Sequence, residues 1–151
     1  MSRITRHFLP LPGCGQIHYR RAGSGPPLIM MHPSPNSSAL VVPMMEAMAK
    51  DYTCIAIDTP GYGISDDVVT DDTHHLYGYV VALEKILAAL GIGACAVYGA
   101  ATGAQIGVQY ALKHPERVPL LMLDSIGDFT AEMDHVLDGY FQDITPVRDG
   151  S

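Results

Sequence analysis

Short, continuously apolar runs alternate along this chain with longer stretches whose apolar residues recur every three or four positions. The short runs are typical of strands buried on both faces of a sheet, and the longer stretches are typical of amphipathic helices. The predicted buried strands are residues 28–31, 52–57, 95–98 and 118–123. The predicted helices are residues 38–50, 76–90 and 102–114. This alternation predicts an α/β fold with a mostly parallel, doubly wound sheet.

Two β-rich runs, residues 7–11 and 16–21, precede this pattern and are separated by a Pro-Gly-Cys-Gly cluster. They predict an opening hairpin. Ligands of parallel sheets bind at the carboxyl ends of the strands, so the loops at those ends are the candidate site. These loops are residues 32–38, 58–66, 99–103 and 124–127.

The loop 99–103 has the spacing of a nucleophile elbow, Gly99-Ala100-Ala101-Thr102-Gly103. In a G-x-S-x-G elbow, a strained turn between strand and helix exposes its central side chain above the sheet. Small neighbours are required because the backbone passes close to the next element. The central residue here is Ala101, and a methyl group has no lone pair with which to attack a substrate.

Three explanations of this alanine stay open. The first is an engineered replacement of the nucleophile, and the second is a natural protein that reacts without a covalent intermediate or only binds its ligand. The third is that Thr102 or another hydroxyl acts instead, or that the elbow lies elsewhere. Thr102 is poorly placed to attack, because the residue after the nucleophile normally contributes its backbone N–H to the oxyanion hole.

Composition narrows the class of partner. The 151 residues are 48% hydrophobic and 17% charged, which predicts one globular domain. A net charge of −7 without a basic cluster argues against nucleic acid and against an anionic membrane as partners.

The cysteines are odd in number, and two lie in apolar runs, which favours reduced residues in a cytoplasmic protein. No spacing of Cys and His suggests a metal, and we expect no cofactor.

Four motifs, in this order, resemble those of the α/β-hydrolase superfamily. They are His32-Pro33, Asp58-Thr59-Pro60-Gly61-Tyr62-Gly63-Ile64-Ser65, the elbow, and Pro115-Glu116-Arg117-Val118. The resemblance implies a hydrolase with an oxyanion hole, and Ala101 then stands at the nucleophile position. The Thr-Gly-Ala after Ala101 looks like a branch whose members often lack serine there, which favours a natural departure.

The resemblance also implies roles for individual residues. In the family, a His-Gly loop supplies one oxyanion N–H, but here Pro33 has none, which leaves Ser34 or Asn36 as the donor. Thr102 is expected to give the second N–H. His32 is expected to be structural in this loop. Asp124 ends the last predicted strand and is either the acid that orients a catalytic histidine or an aspartate that caps the loop.

The resemblance covers only the front part of the family fold. We expect residues 1–127 to form the N-terminal part of the core and residues 128–151 to begin a helical cap. The rest of the core and cap, with the general-base histidine, is expected outside this chain, and a second polypeptide is the expected partner. A sheet that stops here would expose an apolar edge.

The leading functional prediction is an enzyme that acts on a small, mostly apolar ester or carbonyl compound under a helical cap. One alternative is a binder of small molecules that has no activity, and another is a cofactor-free lyase on the same fold. A third is a nicotinamide-dependent dehydrogenase, because the turn at 99–103 loosely resembles a dinucleotide-binding glycine turn. Gln105 argues against the dehydrogenase, since it stands where that motif requires glycine.

Overall fold

The structure is a computed structural model that describes residues 3–11, 15–67 and 76–127. The predicted cap helix after residue 128 lies outside these residues, as does Cys14. Within them, the predicted alternation of strands and helices is present.

One mixed sheet of six strands organises the chain, in the order β1-β2-β4-β3-β5-β6. The strands are β1 Thr5–Leu11, β2 Gly15–Ala22, β3 Pro27–Met31, β4 Thr53–Ile57, β5 Ala96–Ala100 and β6 Leu121–Asp124. The strands β1 and β2 form the predicted antiparallel hairpin, and β2 also pairs antiparallel with β4. The strands β3 to β6 are parallel to one another. The sheet is therefore mostly parallel, as the sequence predicts.

Helices cover both faces of this sheet. They are α1 Val42–Met48, α2 Leu76–Ala89 and α3 Thr102–Lys113. Alternate residues of β3, β4 and β5 pack with α1 on one face and with α2 and α3 on the other. This arrangement explains why these strands lack charged residues, since each of their two faces is buried.

Two predicted starts differ from the structure by three residues or more, and each difference has a physical reason. The helix predicted from Ser38 begins only at Val42, because the Ser38 N–H donates to a carboxylate oxygen of Asp58 and turns precede the helix. The strand predicted from Val118 begins at Leu121. Pro119 lies in the predicted strand and has no N–H to donate to a neighbouring strand.

Candidate functional site

The carboxyl ends of β3, β4, β5 and β6 all lie at the same end of the sheet, because these strands are parallel. The four loops singled out by the sequence therefore meet at this carboxyl end of the sheet. This end has exposed apolar side chains as well as polar groups: Leu40, Met44, Ile64 and Ile126 are each 40% exposed or more. This surface suits a ligand with apolar and polar parts.

Ala101 occupies the strained turn that the elbow spacing predicts. Its φ is 48° and its ψ is −111°, a conformation that residues other than glycine rarely adopt. Its N–H donates to the carbonyl oxygen of Asp124 at 2.9 Å, and its carbonyl accepts from the N–H of Gln105 at 3.1 Å. The turn is thus held at both ends, by β6 and by the first turn of α3.

The two glycines of the elbow are required by close packing. A Cβ on Gly99 would collide with the backbone of Gly103 and Ala104. A Cβ on Gly103 would lie 2.6 Å from the carbonyl oxygen of Met31 in β3. The glycine spacing therefore allows α3 to start directly against the sheet.

The loop after β3 is tied to the elbow by a side chain. The Ser34 N–H donates to Thr102 Oγ1 at 2.9 Å, and the Ser34–Pro35 peptide bond is cis. The Asn36 N–H donates to the carbonyl oxygen of Pro33 at 3.0 Å, and Asn36 is exposed. Both amides that were expected to be open oxyanion donors are therefore engaged within the protein, because the loop turns back on Pro33 and docks on Thr102.

Thr102 lies at the start of α3, beside Ala101. The first N–H groups of a helix have no acceptor within that helix, so the Thr102 N–H is the kind of donor that an oxyanion hole uses. The structure brings Thr102 together with Ser34 and leaves the Asn36 side chain on the surface.

His32 is almost completely buried, with 1% of its surface exposed. Its Nδ1 lies 2.9 Å from the carbonyl oxygen of Pro33, and its Nε2 accepts from the Thr59 N–H at 3.0 Å. Burial lowers the pKa of His32, against the opposing effects of the Pro33 hydrogen bond and the charge of Asp58. A neutral ring with both nitrogens engaged holds the loops after β3 and β4 together and has no nitrogen left for proton transfer with a ligand.

Asp58 is the polar centre of these loops, a role that the sequence analysis missed. Its carboxylate accepts hydrogen bonds from the N–H groups of Ser38 and Ile64, and it lies 2.9 Å from His18 Nδ1. Burial raises the pKa of Asp58, but these hydrogen bonds outweigh it and hold the pKa below its usual value. A Cβ on Gly63 would collide with this carboxylate, so the position requires glycine. The Asp-x-x-Gly-x-Gly-x-Ser pattern was therefore the signal in the sequence from which the role of Asp58 could have been predicted.

Asp124 extends from the end of β6 toward Tyr98 of β5. Its Oδ2 accepts from the Tyr98 hydroxyl at 3.1 Å, and its Oδ1 accepts from the Ser125 hydroxyl at 2.9 Å. Burial raises the pKa of Tyr98, and the neighbouring Asp124 adds to that rise. Both side chains line a surface cavity of about 420 Å³, together with Pro33 and Ala101. The sequence pattern predicts Tyr98 in a buried strand and does not show that its hydroxyl reaches this cavity.

Other kinds of site find little support in the part of the chain that the structure describes. No group of three or more His, Cys, Asp or Glu residues there is arranged to hold a metal ion. Cys54 and Cys95 are both buried free thiols. Burial raises the pKa of Cys95 to about 11, so this thiol is a poor nucleophile at neutral pH. Among the described helices, none has the length and apolar character needed to cross a membrane.

Comparison with known proteins gives a consistent result. The family model described as "alpha/beta hydrolase fold" matches residues 26–150. Among curated proteins, cis-3-alkyl-4-alkyloxetan-2-one decarboxylase of Shewanella oneidensis is 31% identical over 132 residues, which cover 83% of this chain and 40% of that enzyme. The chain therefore spans about 40% of the length of this relative.

Two solved structures resemble the fold. A bacterial membrane phospholipase A has a TM-score of 0.80 at 24% identity, over 91% of this chain and 46% of that one. A substituted form of N-acyl homoserine lactonase AidH, complexed with N-hexanoyl homoserine lactone, has a TM-score of 0.71 at 32% identity. That match covers 79% of this chain and 44% of the lactonase.

Proposed function

Because this chain belongs to the α/β-hydrolase fold family, we propose that it binds a small, mostly apolar ester, lactone or related carbonyl compound at the elbow. We propose further that any reaction there proceeds without an acyl-enzyme intermediate, because Ala101 has no atom that could attack the carbonyl. The observation that carries both proposals is the strained turn at Ala101, which has a φ of 48° although residue 101 is not a nucleophile. Strain of this kind persists where the surrounding structure maintains it, and it clusters at functional sites.

The relatives support this substrate class. The decarboxylase acts, by its name, on a four-membered lactone, and the lactonase structure holds an acyl homoserine lactone. Both compounds combine a polar ester group with alkyl chains. The carboxyl end of the sheet in this protein offers the same combination, with the backbone N–H of Thr102 and exposed apolar side chains such as Leu40 and Met44.

Two alternatives keep the same site. One is a cofactor-free lyase, and the similarity to an enzyme named a decarboxylase favours it. The other is a binding protein without turnover. The engaged Ser34 N–H favours the binder, since an oxyanion hole with fewer free donors stabilises a tetrahedral intermediate less.

We also propose that residues beyond this segment complete the sheet beside β6, on the same polypeptide or on another. The edge strand β6 carries Leu123 with 43% of its surface exposed, and the chain covers less than half of the solved structures named above. The general base that a hydrolase needs would then come from those residues.

The test uses the protein in its full natural length and a panel of N-hexanoyl homoserine lactone, short β-lactones and p-nitrophenyl esters. Calorimetry measures binding, and mass spectrometry of the intact protein detects acyl adducts. We expect micromolar to millimolar binding without an adduct in the wild type, and an adduct on residue 101 in Ala101→Ser.

Ala111→Ser is the matched control, because it places a serine on α3 away from the elbow, and it should form no adduct. Failure of the wild type to bind any member of the panel would remove the proposal. A covalent adduct on another residue of the wild type would remove its second part.

A further inference from the structure

The hydroxyl of Thr102 accepts a hydrogen bond, and the proposed function assigns the threonine hydroxyl no role. The short segment 33–36 contains two prolines and therefore only two N–H groups. One of them, from Asn36, closes a turn on Pro33, and the other, from Ser34, donates to Thr102 Oγ1 at 2.9 Å. The Thr102 hydroxyl thus occupies the Ser34 amide, and this half-buried threonine directly follows Ala101, which lines the cavity.

A hydroxyl that accepts a hydrogen bond still has its own proton to donate. When the Ser34 N–H donates to Thr102 Oγ1, it polarises the hydroxyl and makes that proton a better donor, as in other chains of hydrogen bonds. Thr102 also carries one of the helix-terminal N–H groups of α3. Its hydroxyl and its backbone are therefore two donors on one residue, directly after the central position of the elbow.

We propose that Thr102 determines specificity at this site: its hydroxyl, supported by the Ser34 N–H, donates to the carbonyl oxygen of the bound ester or lactone. This inference rests on the proposed function and names the group that recognises the carbonyl. It also assigns the loop after β3 an indirect role, since the loop amide acts through the threonine and does not touch the ligand.

The position of Ala101 is consistent with this role. Its side chain is small, its φ is positive, and together with Pro33 it lines the cavity of about 420 Å³ at the loop. A ligand carbonyl that lies over the Ala101 methyl group therefore meets no side-chain donor from the elbow centre. The adjacent Thr102 hydroxyl supplies the donor that the elbow centre lacks.

The test combines two variants with two ligands, in the full natural-length protein. Thr102→Val removes the hydroxyl and keeps the branched shape, and Thr102→Ser, the matched control, keeps the hydroxyl. The ligands are N-hexanoyl homoserine lactone and its cyclic ether analogue, N-hexanoyl-3-aminotetrahydrofuran, which lacks the ring carbonyl. Calorimetry measures the four dissociation constants of the variants beside those of the wild type.

We expect Thr102→Val to weaken lactone binding roughly tenfold, the effect of one lost hydrogen bond, and to leave ether binding within about twofold. Thr102→Ser should bind both ligands like the wild type. A threonine that only fastened the loop would instead affect lactone and ether equally, so equal losses would overturn the inference.

Tighter lactone binding in Thr102→Val would also overturn it, because the freed Ser34 N–H would then be the better donor. If Thr102→Val does not fold, as judged by circular dichroism, Thr102→Ala removes the same hydroxyl and takes its place. Absence of lactone binding in the wild type would count against the proposed function itself, whereas binding that is insensitive to Thr102→Val would count only against this inference.

Discussion

The backbone of Ala101 is the residue-scale feature on which the site depends. A positive φ outside glycine carries a conformational cost of about 1–3 kcal/mol, and here the hydrogen bonds to Asp124 and Gln105 hold the turn in place. The elbow spacing in the sequence predicted this turn, and the structure confirms it. The spacing could do so because Gly99 and Gly103 are required by contacts within a few residues and with the neighbouring strand β3.

This strain leads to a prediction about stability. Ala101→Gly should raise the free energy of unfolding by about 1 kcal/mol, because glycine adopts a positive φ without the steric cost and this gain exceeds its greater freedom in the unfolded chain. Urea unfolding followed by circular dichroism measures the change. Ala111→Gly, inside α3, is the control and should lose about 1 kcal/mol. A destabilised Ala101→Gly protein would show that the turn is not strained.

The hydrogen bond between Ser34 and Thr102 could not be predicted at the residue scale. The two residues are 68 positions apart, and the bond depends on how the loop after β3 turns over the start of α3. The sequence identified Pro33 as a residue without an N–H, but nothing in the local pattern shows that the next amide is already engaged. The same holds for the Tyr98 hydroxyl, which meets Asp124 only because β5 and β6 are neighbours.

At the scale of elements, the close approach of β5 and α3 yields a second prediction. Gly99→Ala should lower the free energy of unfolding by at least about 2 kcal/mol, because its Cβ would collide with backbone atoms that no side-chain rotation relieves. Thermal and urea unfolding measure the loss. Gly93→Ala is the matched control, since a Cβ there has no neighbour within 4 Å, and it should change stability by less than about 0.5 kcal/mol. Equal effects in the two variants would contradict the packing argument.

The loops after β3 and β4 are joined to the hairpin through Asp58. Its carboxylate binds amides of both loops, and His18, its ring partner on β2, is also contacted by the Nε–H of Arg6 at 3.2 Å. In the sequence, Asp58 stands out only as the first residue of the Asp-x-x-Gly-x-Gly-x-Ser motif. The pairing of β2 with β4, which brings His18 to Asp58, joins segments 40 residues apart and leaves no local trace in the sequence.

This network predicts how stability depends on pH. Because the folded-state pKa of Asp58 lies below that of an unfolded aspartate, about 3.9, the stability from Asp58 is present above the unfolded value. It is lost as the pH falls through the folded-state pKa. Asp58→Asn should therefore show a weaker decline in the free energy of unfolding as the pH falls from about 5 to below the unfolded value of about 3.9, and should be about 3 kcal/mol less stable at pH 7.

Urea unfolding at a series of pH values tests this prediction. Asp51→Asn is the control, because it removes the same charge from an exposed carboxylate whose lysine partner is also exposed. It should change stability by less than about 1 kcal/mol at any pH. If both variants decline with pH as the wild type does, Asp58 is not the group responsible.

At the scale of the whole molecule, the architecture was predictable because each central strand is an uninterrupted apolar run and each helix shows its own period. The element order, the parallel arrangement and the covering of both faces all follow from that alternation. Boundaries were predicted less well where a tertiary contact competes with local preference, as at Ser38. The structure therefore adds mainly contacts between loops, and these contacts make up the site.

The edge strand β6 is the feature of the whole molecule that bears most directly on how this chain exists in solution. Its Leu123 and the nearby Leu120 are each more than 40% exposed at an edge of the sheet. An apolar edge strand pairs readily with other strands. We therefore expect the 151-residue chain by itself to associate at micromolar concentrations, with Leu123→Lys reducing the association at least about threefold, because a charged edge disfavours pairing.

Sedimentation velocity over a range of concentrations measures this effect. Leu112→Lys adds the same charge at a leucine that is 72% exposed on α3, beside Leu76 and Tyr77 of α2, and should leave the association unchanged. This control separates pairing at the edge strand from nonspecific association of exposed leucines and from the effect of the change in net charge. If Leu112→Lys reduces association as strongly as Leu123→Lys does, the contact does not lie at β6, and the proposed completion of the sheet beside that strand loses its structural support.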